Sequence, residues 1–142
     1  MNENIKVLDD IYKGAEMGSS AVDTILEKID DEALKKEAEY EKECYKEIES
    51  KIEKIYPKYN NDKPREASPI VKAFSWAGIE FKTLTDKTNS KIAEILLNGF
   101  NMGVIDGRKM LNNNIIEDDV KEIVNSYVDM QEKAIERLKK FL

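Results

Sequence analysis

Five glycines fall on helical patterns at four-residue spacing, Gly14 and Gly18 early in the chain and Gly99, Gly103 and Gly107 later. Each costs about 1 kcal/mol relative to alanine inside a helix, and no local turn repays it. Spacing of four puts each set on a single helix face. That face is flat, suited to close approach by another backbone or by something held between helices. Tight packing of the first helix against the third is the expected use. The sharper alternative is a slot for a flat or elongated ligand, with Asp106 orienting it at the edge.

The 142 residues contain no histidine. Ser-His-Asp and Cys-His schemes cannot be built, and no phosphate loop, dinucleotide fingerprint or Cys-rich zinc spacing occurs. The chain is therefore read as non-enzymatic. A formal charge of −6, with no Lys/Arg cluster free of interleaved acids, argues against nucleic acid and anionic membrane as partners. Cys44 stands alone, which excludes an internal disulfide and points to a reducing compartment. Its place on an apolar stripe favours an inert thiol. The first residues lack a basic segment followed by an apolar run, and no stretch reaches the length of a membrane span. These features predict a cytoplasmic protein.

Hydrophobic periodicity predicts an all-α chain of one domain, 1–142, built on four long helices. The first, about 3–29, carries Ile5, Leu8, Ile11, Ala15, Val22, Leu26 and Ile29 on one stripe. Asp30-Asp31-Glu32 then supplies a cap and first-turn acid for the second. That helix, about 32–56, has the stripe Leu34, Ala38, Cys44, Tyr45, Ile48, Ile52, Ile55 and Tyr56. Residues 57–68 read as a linker. Ser68-Pro69 reads as the start of a short crossover helix, with Ile70, Phe74, Ala77, Phe81 and Leu84 inward. Polar residues 85–91 interrupt that pattern, so the third long helix is placed near 88–112 in preference to one kinked helix of about 40 residues that would overshoot its neighbours. Asn114-Ile115-Ile116-Glu117 has capping-box spacing and predicts Asn114 as the cap of the fourth. Its stripe is Val120, Ile123, Val124, Tyr127, Ala134, Ile135, Leu138 and Phe141. The long second connection predicts the up-down-down-up order of ferritin-like four-helix bundles.

Projection at 100° per residue sets a few polar side chains among the apolar stripes: Ser19, Glu37, Glu41, Asp106 and Gln131. Glu37, Glu41 and Asp106 together make at most an oxygen-only site for a hard divalent ion. The favoured reading is a wet polar layer with Lys36, Lys42 and Lys109 reaching over it, with no metal and no cofactor. Met17, Met102, Met110 and Met130 read as core filler. Trp76 and Ile79 lie off the crossover helix's inner stripe, giving it two apolar faces. They are the interface candidates for a homodimer.

The segments Ser90 to Gly99, Asn101 to Asp106 and Glu132 to Lys140 resemble small four-helix proteins of Gram-positive anaerobes described as ferritin-like. The resemblance covers most of the chain. It implies a bundle and no established activity. Ferritin-like oxidases need histidine and inward glutamates, whereas Glu94 projects to the polar side of its helix, a departure that argues against iron chemistry. Two function classes follow: a non-enzymatic bundle acting through self-association or a protein partner, or alternatively a carboxylate metal-binding or small-ligand-binding bundle.

Overall fold

The computed structural model describes residues 2–66 and 84–142. Four helices pack against one another: α1 (Glu3–Leu26), α2 (Glu32–Ile55), α3 (Asn89–Asn113) and α4 (Asp118–Leu138). No strand occurs among the described residues. Each helix bears one apolar face because its large aliphatic residues recur every three or four positions. Leu8, Ile11, Val22 and Ile25 of α1 meet Leu34, Ile48 and Ile52 of α2, Ile92, Leu96 and Phe100 of α3, and Val120, Val124 and Leu138 of α4. Each such side chain contributes about 1.5–3 kcal/mol when fully buried.

Local chemistry sets most of the ends. The Asn2 side chain accepts the Asn4 N–H at 2.8 Å, Asp31 accepts that of Leu34 at 2.9 Å and Thr88 accepts that of Lys91 at 3.2 Å. The predicted cap at Asp31 is thus in place, and Thr88 caps α3 near the predicted start. Residues 84–88 are not helical, so α3 starts at Asn89 as the interrupted pattern requires. Helix α1 stops at Leu26, three residues short of the expected end, and Ile29 is buried from the turn that follows.

The predicted cap at Asn114 is not formed. Asn114 instead closes α3, its amide donating to the Met110 carbonyl at 3.0 Å, while Glu117 caps α4. The Glu117 N–H is taken by the Asn4 side-chain oxygen of α1 at 2.8 Å. A remote acceptor therefore serves the N–H that a local capping box would have satisfied.

Contacts are densest within the hairpins α1–α2 and α3–α4, intermediate between α2 and α4, and sparse between α1 and α3. Helices α2 and α3 hardly touch. Glu37 near the start of α2 receives Arg137 near the end of α4 at 2.7 Å, and Lys58 and Tyr59 just past α2 bond Asp119 at the start of α4. After a short 3-10 turn at Tyr56–Lys58, the chain is tied back to α1, where Asp9 accepts the Tyr56 hydroxyl at 2.7 Å and the Arg65 N–H at 3.1 Å. The segment expected to form the crossover helix, with Trp76 and Ile79, lies outside the described residues. No helix among the described residues is long and apolar enough to cross a membrane.

Candidate functional site

Four of the five glycines receive side chains reaching across from α2 and α4. A Cβ added at Gly14 would stand less than 3.0 Å from the Tyr127 hydroxyl, one at Gly18 from the Tyr45 ring, one at Gly103 from the Gln131 amide and one at Gly107 from a Val128 methyl. Any side chain at these four positions would compete with those groups for volume in a close-packed interior. The expectation of backbone-to-backbone packing at the glycines is corrected accordingly: Gly14, Gly18, Gly103 and Gly107 seat side chains of α2 and α4, and contacts between α1 and α3 stay sparse.

Between them lies a cleft of about 280 Å³. Gly14, Gly99 and Gly103 form its walls, and Tyr45, Tyr127 and Gln131 its floor. Met17, Met102 and Asp106 complete the lining, with Met102 (55% exposed) and Asp106 open to solvent at the mouth. Asp106, expected inside the bundle, is exposed, and so is Met102, expected as core filler, because both stand at the open mouth of the cleft; Met17, Met110 and Met130 are half-buried.

The floor is a hydrogen-bonded chain. Tyr45 donates its hydroxyl to Gln131 Oε1 at 2.8 Å, and Gln131 Nε2 donates to the Tyr127 carbonyl at 3.0 Å. Gln131 is 1% exposed, and its placement inside the α4 stripe is as the sequence predicts. Burial pushes both tyrosine hydroxyls up, that of Tyr127 further through the negative charge of Asp106, against a hydrogen bond from Gln131 that lowers it. Both are neutral donors at physiological pH. Tyr127 is 5% exposed, and among the described residues no acceptor takes its hydroxyl proton. The rings are mutually tilted, Tyr45 lying 5.8 Å from Phe100 and 6.3 Å from Tyr127 between centroids.

The other polar candidates fall elsewhere. Ser19 is buried beside a separate shallow pocket with Glu16 and Asp23. Glu41 is fully buried, and neither of its oxygens has a hydrogen-bond partner. Glu37 Oε2 is likewise buried and unpartnered, while Glu37 Oε1 holds Arg137. Lys42, one of the lysines expected to reach over this layer, pairs instead with Asp23 of α1 at 2.6 Å. Arg137 serves the layer, with its guanidinium 4.9 Å from the Tyr40 ring centroid. Burial raises the Cys44 thiol, in keeping with an inert side chain. Among the described residues, no group of three or more Asp, Glu or Cys side chains is arranged to hold a metal ion.

Sequence reasoning missed Tyr45 and Tyr127 as polar residues because their rings fit an apolar stripe. The signal was present in Tyr45 and Glu41, one turn apart on the same face. It also missed Arg137, whose position on α4 gives no hint of Glu37 one hundred residues earlier. Comparison of the chain with family models, curated proteins and solved structures gives no match.

Proposed function

We propose that this chain is a non-enzymatic bundle that holds a small, mainly apolar molecule in the cleft between α1 and α3. The observation that carries the proposal is the cleft lined by both helices, over a floor that is buried, aromatic and still has a hydrogen to donate. Ligand sites of this kind are concave and largely apolar with a few placed polar groups. Sites for drug-sized ligands run from about 300 Å³ upward, so this one suits a molecule at the small end. The bundle is proposed to have the ferritin-like up-down-down-up order. Support comes from the meeting of the α1 and α4 starts through Asn4 and Glu117, and of the α2 start and α4 end through Glu37 and Arg137.

Methionine methyl NMR tests the ligand reading. Met17 and Met102 line the cleft, whereas Met110 and Met130 do not. Titrating indole should move the first two resonances and leave the others in place. Movement of none, or of Met110 and Met130 alone, would exclude the cleft as a binding site.

A second reading, self-association as a homodimer, is favoured by Met102 (55% exposed) and Ile105 (45% exposed), three residues apart on α3. Light scattering should then show a dimer that Ile105→Asp dissociates. A monomer at high concentration removes this reading.

A further inference from the structure

Resting on the ligand-holding reading above, we infer that the molecule the cleft takes is an organic ammonium with a flat apolar body. The first ground is charge. Among the described residues, Asp106 is the only charged one lining the cleft, and no lysine or arginine lines it. The second ground is that this charge is unspent, for Asp106 makes no ion pair or side-chain hydrogen bond among the described residues. Its basic neighbour on α3, Arg108, is turned to Glu132 of α4 at 2.9 Å. An unpaired carboxylate at the rim of an apolar cavity favours a cation over a neutral molecule and repels an anion.

The walls suit the same ligand. Tyrosine faces attract ammonium groups through the ring quadrupole, and both Tyr45 and Tyr127 line the floor. Asp106 lies near enough to Tyr127 to raise its hydroxyl, so carboxylate and ring act on one region of the mouth. The sulfurs of Met17 and Met102 are polarizable and conform to a flat body. The Tyr127 proton remains for an acceptor on that body.

Three probes of nearly one shape separate the charge from the cleft: naphthylmethylammonium, naphthylmethanol and naphthoate, each followed by the methyl resonances of Met17 and Met102. The ammonium is expected to bind on the order of three- to ten-fold more tightly than the alcohol, and naphthoate the most weakly. In Asp106→Asn the preference for the ammonium over the alcohol should shrink to what the tyrosine faces supply; the residue is exposed, so the substitution leaves the core intact. If the alcohol matches the ammonium in the wild-type chain, or Asp106→Asn leaves their ratio unchanged, the charge inference is overturned while the cleft reading stands. If none of the three probes moves Met17 or Met102, both are overturned.

Discussion

Replacing Glu41 by glutamine should remove a proton that the chain takes up when it folds. Glu41 is fully buried, its two oxygens and the nearby Glu37 Oε2 all lack hydrogen-bond partners, and Glu37 Oε1 is engaged by Arg137. A neutral acid at Glu41 is the form that such a site tolerates. Burial pushes its pKa from 4.5 to about 11, assisted by the neighbouring Glu37 carboxylate, which favours a proton on Glu41, and opposed by the charge of Arg137. Cys44 on α2 acts weakly in the same direction as Glu37, and no group of α1 or α3 is among those that shift it. The folded state therefore binds a proton that the unfolded chain releases above 4.5. Because the folded pKa is raised, stability is greatest below the unfolded value and declines as pH rises toward the folded one. The slope for one group is about 1.4 kcal/mol per pH unit. Between about pH 6 and about pH 8 the wild-type chain should lose about 2.7 kcal/mol from this source. Glutamine has nearly the shape of the protonated acid and no proton to lose. The stability of Glu41→Gln relative to wild type should therefore grow by about that amount over the same interval. Urea unfolding followed by circular dichroism at several pH values measures it, with equal m-values confirming a comparable transition. Parallel pH dependence in the two proteins would show that Glu41 is not held as the acid, and the reasoning from its burial would fail.

Gly103→Ala should cost about 1–3 kcal/mol, because the new Cβ meets the Gln131 amide; a raised melting temperature would contradict the seating of that amide on the glycine. Gln131→Leu should cost about 1–3 kcal/mol by leaving the buried Tyr45 hydroxyl without its acceptor, and adding Tyr45→Phe should restore part of the loss. Chemical denaturation of the two single variants and the double variant measures the coupling, and strict additivity would mean that the hydrogen bond contributes nothing.

Helix positions were legible in the sequence where the chemistry that sets them is local. Asp31 and Thr88 cap helices through N–H groups three residues ahead, a distance that sequence reading spans. Asn114 looked equally good, yet the N–H of Glu117 is satisfied by Asn4, and no local pattern encodes an acceptor on another helix. The buried positions of Glu41 and Gln131 followed from helical projection, since each sits within an apolar stripe. Arg137 and the hydroxyls of Tyr45 and Tyr127 did not, because their partners depend on how the helices are set against one another. Asp106 shows the limit of projection: the same angle that sets it beside the glycines leaves it exposed at the open mouth of a cleft. For the same reason the glycines revealed a flat face but not what would rest on it.

The glycine seats also bear on how far each helix is free to slide. On α1 there are two notches for two keys, Gly14 for Tyr127 and Gly18 for Tyr45, so movement by a turn would keep at most one of them filled. On α3 a third glycine, Gly99, continues the row one turn beyond Gly103, which seats Gln131, and Gly107, which seats Val128. A translation of α3 by one turn, about 5.4 Å, would bring Gly99 under Gln131 and Gly103 under Val128 with both keys still accommodated. What opposes that ratchet is the four-residue connection at 114–117, held through Glu117 by Asn4. Along this stretch, the register of α3 is fixed at the end of the bundle by the turn, while the glycine row itself leaves a second position open.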